Sequence, residues 1–223
     1  MLLALDTSTR NIGIAIYDGI QVLCENIWTS HDYHTVELAP AVYETLSRVG
    51  IGIQDLKLLA VATGPGSFTG LRIGMALAKG IALARHLPII GIPTLDIVAE
   101  SQPISPGFSL AAILQAGRGR LAVAWYIASD GHWILNPPIE VMDVHKLSHQ
   151  IHEPTLVCGE LTEEQQHALA RKYKNVVLAS PAHSIRRPAL LAELAWKRWQ
   201  TVDVDDPASL SPSYLQLGEP IPG

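Results

Sequence analysis

Gly64-Pro65-Gly66-Ser67-Phe68-Thr69-Gly70 opens a run that continues unbroken to Arg85. Its first half is a tight turn, because Gly tolerates positive φ and Pro fixes its own. Ser67 and Thr69 can each cap a helix start. From Leu71 onward the spacing predicts a helix with no polar face. Leu71, Met75, Ala78 and Ala82 fall on one side, and Ile73, Leu77, Ile81 and Ala84 on another. A helix apolar all round must be covered, by its own chain or by a second one. Small residues recur at i, i+4 in two stripes: Gly70, Gly74 and Ala78, and Ala76, Gly80 and Ala84. Glycine inside a helix costs about 1 kcal/mol relative to alanine. Close approach of a second backbone is expected to offset that cost.

The same turn feeds a helix N-terminus, whose free N–H groups and positive dipole end suit an anion. The spacing is not that of a P-loop, since no Gly-Lys-Ser/Thr follows. It also departs from the dinucleotide fingerprint, where Thr69 stands in place of the third glycine. A structural turn is the commoner meaning, and phosphate contact the sharper one.

Toward the N-terminus, Leu2 to Leu5 is an apolar strand ending at Asp6, followed by the hydroxyl-rich turn Thr7-Ser8-Thr9. Ile12, Ile14 and Ile16 alternate as a strand does. Asp18-Gly19 signals a hairpin, and Val22 to Trp28 returns. Thr35 to Val49 reads as a helix with a ridge at Ala39, Val42, Leu46 and Val49. Pro40 is expected to kink it or mark its true start. Leu58 to Ala62 is a continuous apolar strand of the kind buried on both faces. Beyond Arg85, Ile89 to Ile92 is another buried strand and Thr94 is expected to cap a short helix. Pro103, Ser105, Pro106 and Gly107 mark a boundary.

Past that boundary the opening pattern recurs. Leu110 to Leu114 is a strand, Gln115-Ala116-Gly117-Arg118-Gly119 a turn, Leu121 to Ala128 a strand, Asp130-Gly131 a hairpin, and Trp133 to Leu135 the return. Then come a strand at Thr155 to Cys158, a helix at Thr162 to Lys172, a strand at Val176 to Leu178 and a helix at Ala189 to Trp199 opened by Pro188. The tail from Asp203 is acidic and Pro-rich, with Tyr214, Leu215 and Leu217 as an apolar patch. The expected architecture is α/β: a duplicated unit in two lobes, 1–101 and 108–187, with a C-terminal helix and tail over 188–223. Strand-tip turns from both lobes should face the cleft between them, the usual ligand position in α/β folds.

In such a cleft two acids, one per lobe, would hold a metal–phosphate. Asp6 occupies the first-lobe position, and the matching second-lobe position is the neutral Gln115. An amide neither holds Mg²⁺ strongly nor acts as a base at neutral pH. The candidate phosphate contacts are Asp6, Thr7, Ser8, Thr9, Gly64, Gly66 and Ser67. His31 and His34 precede a helix with Glu37 after them, and His145, His149 and His152 are spaced to share a helical face. Both sets read as solvated histidines, and no functional metal site is expected. Gly66-Ser67-Phe68 lacks the nucleophile elbow of a serine hydrolase.

Charged residues are 17% of 223, below the usual quarter or so, and mean hydropathy is +0.21. That sparse surface implies an apolar partner interface. A net charge of −5 recruits no nucleic acid by field alone. The basic clusters Arg118/Arg120, Arg171/Lys172/Lys174 and Arg186/Arg187 read as solvated surface. Cys24 and Cys158 sit in apolar surroundings without metal spacing, as small buried residues of a reducing compartment do. The start has no basic n-region and no apolar run reaches 18 residues, so a cytosolic protein is expected.

Leu3-Ala4-Leu5-Asp6-Thr7-Ser8-Thr9, His34-Thr35, the segment Gly64 to Gly74, and Ser211-Pro212-Ser213-Tyr214-Leu215 resemble the TsaB (YeaZ) family of bacterial tRNA threonylcarbamoyladenosine biosynthesis. The resemblance implies an actin-like/Hsp70-like two-lobe fold, a cytoplasmic location and no independent catalysis. It implies association with the catalytic paralogue TsaD, with the ATPase TsaE completing the machinery, and a homodimer when alone. The product is t⁶A at position 37 of tRNAs reading codons that start with A, and tRNA is met only through the complex. ATP or ADP at the partner interface is the candidate cofactor. The paralogue's His-x-x-x-His motif is incomplete here, since Leu38 follows His34 at that spacing. The family's second-lobe turn resembles Asp-Ala-Arg-x-Gly-Glu-Val-Tyr, where this chain has Gln115 to Ala122, and its Tyr-Leu-Arg is here Tyr214-Leu215-Gln216. The expected interface pairs two exposed helices with the same elements of a partner, through Ala39, Val42, Leu46, Val49, Gly70, Gly74, Ala78, Lys79 and Ala82, with the stripe Ala76, Gly80 and Ala84 as the other close-approach candidate on the second helix. The alternative is an enzyme of the same fold, an ATPase or a metallopeptidase-like protein.

Overall fold

The computed structural model describes residues 1–30, 34–171 and 174–215. Two five-stranded mixed sheets form, and their topologies are copies of one another. The first contains β1 (Leu2–Asp6), β2 (Asn11–Tyr17), β3 (Val22–Thr29), β4 (Leu58–Gly64) and β5 (Ile89–Pro93), in the order β3-β2-β1-β4-β5. The second contains β6 (Ser109–Gln115), β7 (Leu121–Ser129), β8 (His132–Met142), β9 (Thr155–Gly159) and β10 (Val176–Leu178), in the order β8-β7-β6-β9-β10. In each, a meander of three antiparallel strands comes first and two parallel strands are added on the other side of the first strand. The repeat read from the sequence is thus a repeat of topology. Asp130 and Gly131 both take positive φ, the geometry of a tight hairpin turn.

All five residues of β1 are buried, because helices cover both faces of its sheet. On the outer face lie α1 (His34–Arg48) and α2 (Phe68–Arg85), with Leu38, Val42, Leu46, Met75, Ala78 and Ala82 against Leu3, Leu5, Ile14 and Val61. On the inner face lies α6 (Pro188–Gln200), with Leu191, Ala192 and Ala195 against Leu2, Ala4, Leu58 and Ala60. The second sheet is covered inside by α3 (Thr94–Glu100), through Leu95, Val98 and Ala99. Outside it are α4 (Val144–Gln150) and α5 (Glu163–Ala170), through Leu147 and Leu169. The helix written in the first half therefore walls the second sheet, and the last helix returns to wall the first.

Several local expectations change. Pro40 lies inside α1, so of its two expected roles it does not mark the helix start. Thr94 is the first residue of α3, not its cap. Its hydroxyl instead accepts a hydrogen bond from the Gly64 N–H at 3.1 Å, joining the organising turn to the next strand end. Ser67 does cap α2, accepting from the Gly70 N–H at 3.2 Å. His152 falls beyond the end of α4, so the three histidines do not share one helix.

Candidate functional site

The strand tips of both lobes converge. The turn after β1 and the turn after β4 touch: Ser67 N–H donates to the Ser8 carbonyl at 2.6 Å. A Cβ at Gly66 would lie 2.1 Å from that carbonyl oxygen, so only glycine fits the contact. Thr7 Oγ1 donates to the Gly70 carbonyl at 2.7 Å. A Cβ at Gly70 would come within 2.2 Å of the Thr7 carbonyl oxygen. The Gly70/Gly74 stripe is thus small because the chain's own β1 turn packs on it.

Asp6, Thr7 and Ser8 are buried. Asp6 Oδ1 accepts from Ser8 N–H at 2.9 Å and from the Ser8 hydroxyl. Its other oxygen meets a residue that sequence reading placed on the surface. Arg186 Nε donates to Asp6 Oδ2 at 2.9 Å. Arg186 Nη1 donates to Glu160 Oε1, and Nη2 to Thr9 Oγ1 and to the Asn11 carbonyl, the last at 3.2 Å. Thr9 Oγ1 itself donates to Glu160 Oε1 at 2.8 Å. The Arg186 and Asp6 side chains are each 2% exposed and Glu160 22%. Burial opposes the guanidinium charge, and the carboxylates of Asp6 and Glu160 outweigh it, holding the Arg186 pKa above its ordinary value. Removing one member of such a buried set costs about 3–5 kcal/mol, because a charge is left uncompensated.

Gln115, the second-lobe counterpart of Asp6, spends its amide within its own lobe. Nε2 donates to the Glu160 carbonyl at 2.9 Å and to Gln165 Oε1 at 2.8 Å. Between the lobes lies a cavity of about 1070 Å³ lined by Thr9, Arg10, Gly66, Phe68, Gln115 and Tyr214, among others. Its mouth is crossed by the tail. Ser213 N–H donates to the Thr63 carbonyl at 2.7 Å, Tyr214 packs on Phe68 with ring centroids 5.0 Å apart, and Arg72 Nε donates to the Tyr214 hydroxyl at 3.0 Å. Leu215 then packs against the core of the second lobe. Of the candidate phosphate contacts, Ser8, Thr9, Gly66 and Ser67 line this cavity. Asp6, Thr7 and Gly64 are enclosed by the chain itself.

The expected partner interface is corrected in its residues. Val42, Leu46, Gly70, Gly74, Ala78 and Ala82 face inward and are buried in the first lobe's own core. Val49 is half-buried against that core. Lys79 turns its ammonium to the Leu210 carbonyl at 2.8 Å. Ala39 alone of the α1 ridge is exposed. One sheet face covers only one side of each helix, and the outward side carries different residues: Val36 (65% exposed), Ala39 and Tyr43 (71%) on α1, and Ala76, Gly80 and Leu83 (62%) on α2. The second small-residue stripe, Ala76-Gly80-Ala84, is the exposed one, and a Cβ at Gly80 would meet nothing within 4 Å.

His31 lies outside the described residues. Glu37 Oε2 accepts from Trp28 Nε1 at 3.0 Å. Among the described residues no three His, Cys, Asp or Glu side chains are grouped to hold a metal ion. No helix of the described chain is long and apolar enough to cross a membrane.

Comparison with known proteins bears on this geometry. A family model described as TsaD, tRNA N6-adenosine threonylcarbamoyltransferase, matches residues 22–134. The Bacillus subtilis tRNA threonylcarbamoyladenosine biosynthesis protein TsaB is 30% identical over 98% of this chain and 95% of its own length. The chain belongs to the TsaB family. The fold of this TsaB-family chain is shared with YeaZ from Pseudomonas aeruginosa at a TM-score of 0.77, with 21% identity over 96% of this chain and 99% of that one. A more distant likeness is the activator of 2-hydroxyisocaproyl-CoA dehydratase from Clostridium difficile, solved with bound ADPNP. It matches at a TM-score of 0.51 and 10% identity over 90% of this chain and 97% of that one. The architecture is the two-lobe actin-like fold, as the sequence repeat and the resemblance implied.

Sequence reading missed Arg186 and Glu160. A signal for Arg186 existed. Arg186-Arg187-Pro188 places two cations at a helix start, where the macrodipole disfavours them, so each needs an acid. Arg187 finds Glu25 at 3.1 Å, and Arg186 finds the cleft.

Proposed function

We propose that this chain is a non-catalytic scaffold in the formation of N6-threonylcarbamoyladenosine at position 37 of tRNAs that read codons starting with A. It docks on the catalytic paralogue TsaD, works with the ATPase TsaE, pairs with itself when alone, and meets tRNA only through the complex, in the cytoplasm. The observation that carries this reading is the outward face of α1 and α2. Val36, Tyr43 and Leu83 lie in the open there beside the small stripe at Ala76 and Gly80. Two adjacent helices with a smooth apolar face suit two helices of a partner, through close backbone approach at the small residues and large side chains around them. Any ATP or ADP belongs at that partner interface in this reading.

The enzyme reading draws on one observation, the match to a family model bearing a transferase's name. The separating experiment is an assay of the purified chain for ATPase, peptidase and threonylcarbamoyl transfer, with and without TsaD and TsaE. Activity only with the paralogue present supports the scaffold. Turnover by this chain alone overturns it.

A further inference from the structure

A cleft between two lobes can hold a divalent ion and its phosphates when a carboxylate stands at the strand tip on each side. The residues present here do not fit that group. Asp6 already accepts three hydrogen bonds, from Ser8 N–H, the Ser8 hydroxyl and Arg186 Nε. The second-lobe position holds Gln115, an amide committed to Glu160 and Gln165. The cation in the joint is a side chain of the chain itself.

We propose that Arg186 is an internal cation standing where a metal–phosphate would bridge the lobes, and that it pins them at one setting instead of letting a nucleotide open and close them. Arg186 sits where the chain passes from the second lobe back to the first. Its planar fork reaches three first-lobe residues, Asp6, Thr9 and Asn11, and one second-lobe residue, Glu160. A guanidinium suits this task because its donors are fixed in one plane and it does not lose its proton. Glu160 is the pin's second-lobe arm, and it lines both the large cavity and a smaller one of about 350 Å³ that Val157, Leu161, Leu178 and Pro181 also line. Arg186 is a positioning residue, acting through Asp6 and Glu160.

The test uses the full chain. Nitroxides at S47C on α1 and H149C on α4, in a C24S background diluted with unlabelled protein, report the distance between lobes by double electron–electron resonance. The native pin gives one narrow distance. Glu160→Ala, which removes the second-lobe arm and keeps the Asp6 pair, broadens and shifts it, and Arg186→Met does so more. In parallel, calorimetric titration with Mg²⁺–ATP gives no magnesium-dependent binding that Asp6→Asn abolishes. If Arg186→Met does not fold, Glu160→Ala decides alone. A distance distribution already broad in the native chain, or unchanged in Glu160→Ala, overturns the proposal. So does magnesium-dependent nucleotide binding lost in Asp6→Asn. Dilution with unlabelled protein removes distances between associated copies, and the calorimetry does not involve α1 or α2, so failure of the pin and failure of the docking reading are told apart.

Discussion

The hydroxyl of Thr7 lies where a side chain on Gly74 would have to go: a Cβ there would be 2.2 Å from Thr7 Oγ1. The two residues, far apart in sequence, set how closely α2 approaches β1. Gly74→Leu is therefore expected to destabilise the monomer by overpacking, about 1–3 kcal/mol or more, seen as a lowered Tm in circular dichroism. Gly80→Ala, six residues further along α2, meets open space and removes a helix glycine. It is expected to stabilise by about 0.5–1 kcal/mol. A Gly74→Leu variant that melts like the parent would contradict the packing described.

The docking face makes the opposite demand. Tyr43→Glu and Leu83→Glu change exposed positions, so the monomer's melting should move by less than about 0.5 kcal/mol. If the proposed docking holds, sedimentation should nevertheless show weakened association of the chain with a second copy and with TsaD. Retained association in both variants would place the interface elsewhere.

Asp96 links α3 to the second sheet, accepting from the Tyr126 hydroxyl at 2.6 Å. Burial raises the Asp96 pKa, opposed by the Tyr126 hydrogen bond and reinforced by Glu100. The folded state thus holds this proton more tightly than the unfolded chain. Ionised Asp96 costs stability above its raised pKa, and the cost disappears once both states are protonated. Asp96→Asn keeps an acceptor for Tyr126 and should be more stable than the parent at neutral pH. That gain should fade as pH falls toward the ordinary carboxylate value of about 3.9. Denaturant melts of the pair across pH check this; a gain that grows on acidification would refute the sign.

Tyr126→Phe leaves the Asp96 carboxylate without its donor. The expected loss is about 1–3 kcal/mol at neutral pH, the cost of an unsatisfied buried acceptor, again read from denaturant melts.

Cys158 is 1% exposed, and burial pushes its thiol up to about 12. Iodoacetamide at mildly alkaline pH should leave it unmodified in the native protein and label it fully in denaturant, as mass spectrometry of the peptide will show. Labelling in the native state at the rate of a free thiol would mean that this part of the second lobe opens readily.

Much of this architecture was legible because it rests on short-range signals. Asp18-Gly19 and Asp130-Gly131 announced the two hairpins, Ser67 its helix start, and the apolar run Leu58 to Ala62 a strand buried on both faces. The repeat in pattern became a repeat in strand order. What stayed hidden was long-range. An apolar helix does not say which of its sides meets its own sheet, so the sequence leaves both small-residue stripes of α2 as interface candidates, and only the fold shows that Ala76-Gly80-Ala84 is the outward one. Arg186 lies 180 residues from Asp6, and a lone arginine pair before a proline looks like any wet surface until the lobes are brought together. Thr94 misled for a similar reason: its hydroxyl serves Gly64, thirty residues away, not its own helix.

The exchange of α3 and α6 between the sheets governs how this protein is born. Chains emerge from the ribosome N-terminus first. The first sheet is complete in sequence by Pro93, yet most of its inner apolar face, apart from what Ile97 of α3 covers, stays bare until Pro188 to Gln200 is released. Meanwhile α3 waits for a sheet not yet made. The nascent first lobe must therefore carry a sticky, half-finished surface through the synthesis of the entire second lobe. Severing the chain between the lobes would leave two fragments that each lack the other's lid, so the duplicated halves no longer have independent lives.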